Sequence, residues 1–181
     1  MITLNNKNVK QLRVTSYYTG SLGSYISVMP DASTMDFMKQ CCDIAKVSGF
    51  VPNSPLNSHV TVVHSKDSLT VEEQGLLLAH GFNPRHEYHA QVSEFTHWEG
   101  HNGKGYIVMG LNCAELEAYN SWLRETFNLK TSFDEFKPHI TLVEDAYLNG
   151  KKRAQLLVDE LNWLSFPKNI ILTGLKIEDL K

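Results

Sequence analysis

Two short stretches decide the reading of this chain: NSHVTVVHS at 57–65 and FKPHITLVED at 136–145. Each writes histidine, apolar residue, threonine, apolar residue. In a β-strand, side chains two apart share a face. His59 and Thr61 therefore point one way, as do His139 and Thr141, while Val60, Val62, Ile140 and Leu142 point to the other face. Each copy reads as a core-facing strand that lifts one imidazole and one hydroxyl out of the core.

Working outward, the copies end two similar units. SYISVMP at 24–30 is rich in strand formers, and STMDFMKQCCDIAKV follows it. Ser33 reads as an N-cap with Asp36 at the capping-box position, and Met35, Met38, Cys42 and Ala45 mark one apolar helical face. The loop SGFVPNSPLNS then leads into HVTVV. In the second unit GYIVMGL is the strand and NCAELEAYNSWLRETF the helix. Asn112 reads as its N-cap, with Glu115 three residues on and Leu116, Tyr119 and Leu123 on one face. SFDEFKP then leads into HITLV. Tyr25 precedes His59 by 34 residues and Tyr106 precedes His139 by 33, so the order and the length both repeat.

The remaining segments fit around these units. TVEEQGLLLAHG at 70–81 has a capping box and a terminal glycine, which predicts a short helix. HEYHAQVSEFTHW predicts a strand, Asn102-Gly103 a hairpin turn, NGKKRAQLLVDELNWL an amphipathic helix and NIILTGLKIEDL a closing strand. The mixture predicts an α+β fold with mainly antiparallel sheets. One domain is expected over 1–181, with two lobes near 20–95 and 96–181.

Composition narrows the function. Among 181 residues, 42% are hydrophobic, 20% are charged and the net charge is −3, which weighs against bulk attachment to DNA or an anionic membrane. No apolar run approaches a membrane span and MITLNNKNVKQLRV lacks a signal-peptide core, so a cytoplasmic protein is expected. Cys41, Cys42 and Cys113 have no metal spacing and are expected to stay reduced. His86-x-x-His89 has a ligand-like spacing, but on a strand its two rings would face opposite ways, and no carboxylate or cysteine set completes a site. Neither a metal nor a cofactor is expected.

If the two strands meet, two imidazoles and two hydroxyls converge. An imidazole titrating near pH ~6.5 can accept a proton when neutral and donate one when charged. Threonine hydroxyls can bind non-bridging phosphate oxygens, and a ribose 2′-hydroxyl supplies an internal nucleophile. The set suits metal-free phosphodiester cleavage; two strand histidines satisfied within the core are the plainer alternative. Lys137, just before the second motif, is placed to attract phosphate. Lys151–Arg153 reads as a solvated helix face.

The paired HVTV and HITL resemble the signature of the two-histidine phosphoesterase superfamily, whose bilobal α+β fold has two related halves around a central cleft. By that resemblance His59, Thr61, His139 and Thr141 take the four catalytic motif positions. SYISVMP, FTHWEGHNGKGYIVMGL and FKPHITLVED further resemble the phage anti-CBASS nucleases, which degrade cyclic oligonucleotide alarm signals. That resemblance implies substrate binding by Tyr25 and Trp98, stacked on bases, and by Glu178, with Asp179 beside it. Aromatic stacking is worth about 1–3 kcal/mol per base; packing into the core is the alternative for both aromatics. The stretch up to about Gly23 and KDSLTVEEQGLLLAHGFNP have no clear counterpart in the family.

The expected function is therefore a metal-independent phosphodiesterase. It would cleave 3′,5′-linked cyclic di- or trinucleotide immune messengers for phage evasion of CBASS, by histidine acid–base catalysis of 2′-hydroxyl attack. Its partner would be that substrate alone, with no DNA or membrane, as a monomer in the host bacterial cytoplasm. Which histidine is the base stays open. So do two alternatives: a phosphodiesterase acting on 2′,3′-cyclic or 2′,5′-linked RNA ends, and a non-enzymatic cyclic-nucleotide sponge.

Overall fold

Proline ends the first strand and an aspartate starts the first helix one residue later. β1 (Ser24–Pro30) runs into α1 (Ala32–Val47), with Asp31 as N-cap accepting from the Thr34 N–H at 2.9 Å. The expected cap, Ser33, instead lies inside the first turn and donates to the Asp31 carboxylate. Further along the chain come β2 (Val60–Ser65), α2 (Val71–His80), β3 (Tyr88–Glu99), β4 (Gly105–Asn112), α3 (Ala114–Thr126), β5 (His139–Val143), α4 (Lys151–Asn162) and β6 (Asn169–Asp179). This computed structural model describes residues 24–81, 83–100, 103–131, 135–165 and 167–179, with Glu178 and Asp179 described by backbone alone.

The helix starting at 71 forms as its capping box predicts, with Thr70 and Glu73 each bonded to the other's backbone N–H. At α3 the cap is Cys113, with no side-chain bond, because Asn112 still belongs to β4. His86 lies before β3 begins, not on it, and its Nε2 meets Glu115 at 2.5 Å. In the β3–β4 turn, Gly103 takes φ +74°, a conformation open to glycine; the expected Asn102 lies outside the described residues.

Every strand pairing is antiparallel, in one sheet of order β2-β1-β6-β3-β4-β5. The order is the repeat laid out in space. β1 and β2 stand at one side, their counterparts β4 and β5 at the other, and β6 pairs with β3 between them. Thus the motif strands lie at opposite ends of the sheet, and the sheet must curl to bring them together.

Reciprocal loop contacts hold that curl. Pro52, in the loop before β2, bridges Val143 on β5, and the Asn53 N–H donates to the Leu142 carbonyl at 2.8 Å. Conversely, Thr131, in the loop before β5, bridges Ser65 on β2, whose hydroxyl donates to the Lys130 carbonyl at 2.8 Å. Each half's connecting loop thereby caps the exposed edge of the other half's motif strand, satisfying backbone groups that an edge would leave open.

One continuous core lies beneath. Phe37, Met38, Cys41, Cys42 and Ala45 of α1 bury against it, with Leu116 and Leu123 of α3 and Ala154, Leu157, Val158 and Leu161 of α4. All three cysteines are free and buried, and burial pushes the Cys41 thiol up to about 12, which keeps it an apolar filler.

Candidate active site

Both motif strands carry a bulge at the same place. β1 and β2 pair Ile26 with Val63 but Ser27 with Thr61, so Val62 is the extra residue. β4 and β5 pair Ile107 with Val143 but Val108 with Thr141, so Leu142 is extra. A bulge breaks strict alternation and increases local twist. Here it lets two consecutive apolar residues, Val62–Val63 and Leu142–Val143, both bury while the preceding threonine stays half-exposed.

The two histidines are held alike at one nitrogen. His59 Nδ1–H donates to the Asn57 carbonyl at 2.8 Å, and His139 Nδ1–H donates to the Lys137 carbonyl at 2.7 Å. A carbonyl only accepts, so Nδ1 carries the proton in each neutral ring and Nε2 presents a lone pair. The same i−2 tether thus prepares the same proton-transfer atom twice.

Their other surroundings differ. Nε2 of His59 lies 2.5 Å from the Tyr25 hydroxyl, which is also 2.9 Å from Thr61 Oγ1. His139 packs edge-to-face against the Trp98 indole, with ring centroids 4.8 Å apart at 86°. Burial holds the His139 imidazole below its usual 6.5; the Lys137 carbonyl opposes that shift, and the His59 charge adds to it. The two rings therefore sense each other electrostatically.

A cavity of about 730 Å³ brings these groups together, in the range of small-ligand sites. Its wall includes Tyr25, Thr61, Trp98, Tyr106, His139 and Thr141. His59 stands behind the Tyr25 hydroxyl rather than on the wall itself. Of the expected positions, then, the structure gathers His59, Thr61, His139, Thr141, Tyr25 and Trp98. Glu178 is placed by backbone alone, opposite Tyr25 in the β1–β6 register.

Sequence reasoning passed over other wall residues. His64 reaches the wall because the bulge pairs it with Tyr25, and the two rings lie 6.1 Å apart edge-to-face. Arg124 and the buried Asn120 come from α3. Lys137, which the sequence places to attract phosphate, lies on the wall as well, paired with Glu135 at 3.0 Å. For Asn120 the signal was a polar residue four after Leu116, on the apolar face of a helix.

Residues 22–162 match the family model described as anti-CBASS protein Acb1. Among solved structures, E. coli LigT in complex with 3′-AMP is similar over 88% of this chain and 95% of its own, at 15% identity and TM-score 0.52. A crystal structure of a phosphoesterase is similar over 90% and 99%, at 15% identity and TM-score 0.50. The curated proteins compared give no match. At that identity the structural likeness speaks for the fold, an α+β two-histidine phosphoesterase architecture.

Proposed function

The chain belongs to the anti-CBASS protein Acb1 family and is a phosphodiesterase that counteracts CBASS, and from that premise we propose that it opens 3′,5′-linked cyclic di- and trinucleotides without a metal ion. The observation that carries the chemistry is the pair of Nδ1-tethered imidazoles, His139 on the cavity wall and His59 behind the Tyr25 hydroxyl that lines it, with both motif threonines on the same wall.

In this reading the scissile phosphate sits between the two motif strands. Thr61 and Thr141 donate to its non-bridging oxygens, where charge grows in the transition state. One Nε2 takes the proton of the adjacent 2′-hydroxyl as that oxygen attacks phosphorus. The other imidazole, protonated, donates to the departing 5′-oxygen. The P–O5′ bond breaks and the product is a linear oligonucleotide ending in a 2′,3′-cyclic phosphate. A neutral His139 is favoured by burial, and one charged ring discourages charge on the other, which suits a pair that must hold one proton between them.

Tyr25 and Trp98 offer ring faces to bases on either side of the phosphate, and Glu178 is the third substrate-binding candidate. The substrate belongs to the cyclic oligonucleotide class, and the protein would act in the cytoplasm of the infected bacterium. Among the described residues no helix is long and apolar enough to cross a membrane.

Purified protein in excess EDTA, incubated with 3′,3′-cyclic GMP-AMP, cyclic di-AMP and cyclic tri-AMP, tests the reading by mass spectrometry. Linear product from any ring is expected. Intact rings throughout would overturn it; intact rings retained on the protein would point instead to a sponge.

A further inference from the structure

Resting on that reading, we propose that the hydroxyl of Tyr25 is a positioning group of the phosphodiesterase site. It sets the His59 imidazole and the Thr61 hydroxyl in their working geometry and gives up its place to a substrate oxygen. A base-stacking role uses only the face of the ring. The structure puts the phenol oxygen where stacking does not need it, 2.5 Å from His59 Nε2 and 2.9 Å from Thr61 Oγ1.

The hydrogen-bond roles are settled by chemistry. His59 Nδ1–H is committed to the Asn57 carbonyl, so Nε2 of the neutral ring can only accept. The Tyr25 O–H is therefore its donor, and the phenol oxygen in turn accepts from the Thr61 hydroxyl. The result is a directed chain from Thr61 through Tyr25 and His59 to a backbone carbonyl. Its first two contacts, both made by the phenol oxygen, fall on the atoms that would meet the reacting phosphate. A phosphate or ribose oxygen arriving there finds both atoms already spaced for one bridging oxygen.

The repeat supplies an internal comparison. Tyr106 occupies the position on β4 that Tyr25 occupies on β1, and it also lines the cavity. Among the described residues it makes no hydrogen bond to His139, which is fixed by burial and by the edge-to-face contact with Trp98. The two imidazoles are thus oriented by different means, one by packing and one by a phenol. Without that phenol, His59 keeps a single tether, to Asn57.

Tyr25→Phe keeps the ring and deletes the oxygen; Tyr25→Leu removes both. Imidazole nitrogen NMR on the substrate-free protein reads the hydroxyl directly. In Tyr25→Phe the His59 Nε2 resonance is expected to move toward that of an unbonded acceptor, while the His139 signals stay in place and report an intact fold. In the ring-opening assay, Tyr25→Phe is expected to lower kcat/KM by about tenfold, the scale of one hydrogen bond organising the free enzyme, and Tyr25→Leu to lower it further by removing the stacking face. An unmoved His59 resonance, or a Tyr25→Phe enzyme with wild-type kcat/KM, would overturn the proposal and leave Tyr25 as a stacking surface alone. If wild-type protein opens no ring, the functional reading fails, and the NMR arm still decides whether the hydroxyl holds His59.

Discussion

Asn120 offers a test of how the first motif strand is held. Its Nδ2 donates to the carbonyl of Val62 at 2.6 Å, and both groups are buried. Val62 is the bulged residue of β2, at the end of the sheet, so its carbonyl depends on a partner outside the ladder. Asn120→Ala deletes the donor and leaves that acceptor buried and unpaired, at a cost of about 1–3 kcal/mol. For a domain of this size each kcal/mol lowers Tm by about 2–4 °C, so a fall of roughly 2–12 °C is expected by thermal unfolding. Asn120→Asp should be worse than alanine, because a carboxylate faces the carbonyl with nothing to donate. At the matching bulge, Leu142 is served by the backbone N–H of Asn53, so Asn53→Ala keeps that bond and loses only the long Nδ2 contacts to the Thr141 carbonyl at 3.4 Å and Glu144 at 3.3 Å, which should cost about 0.5 kcal/mol, the low end for a hydrogen bond. An Asn120→Ala protein with wild-type Tm, or an Asn53→Ala protein as damaged as it, would refute this account of the bulges.

Other expectations follow from single contacts. A Cβ on Gly105 would meet the Tyr147 ring at 2.2 Å, so Gly105→Ala should lose about 1–3 kcal/mol in denaturant unfolding. Removing the Thr141 hydroxyl with Thr141→Val should lower kcat by about 10²-fold while Tm holds, read by paired kinetics and calorimetry. Because the folded His139 imidazole sits below 6.5, the unfolded chain takes up its proton first as pH falls. That uptake draws the equilibrium toward unfolding, so the contribution is absent above pH 6.5 and destabilising below it. His139→Gln should therefore show a smaller loss of Tm between pH 7.5 and pH 5 than wild type.

Much of the site was readable because it is local. His59 and Thr61, or His139 and Thr141, share a face by strand geometry alone, and the spacing of Tyr25 and Tyr106 to them exposed the repeat. The capping box at Thr70 was readable for the same reason. The bulges were not, since an extra residue exists only relative to a partner strand. Yet both copies carry the trace: two apolar residues in a row after the threonine. The caps of α1 and α3 shifted because Pro30 ends β1 just before Asp31 and because β4 extends through Asn112. Asn120, Arg124 and His64 joined the cavity through tertiary placement, which no spacing announces. The Tyr25 hydroxyl is of this kind too: its ring suggested a stacking surface, and only the fold brings its oxygen to His59.

The central claim is that the two histidine–threonine strands form one catalytic unit. It is tested most directly by ring-opening rates for His59→Ala, His139→Ala and the double variant in EDTA, against the preferred cyclic nucleotide. The account predicts that each single substitution costs about 10²–10⁴-fold and that the double costs little more than either, because each histidine works only with the other. Losses that multiply in the double variant, or one single variant that keeps near wild-type turnover, would contradict it.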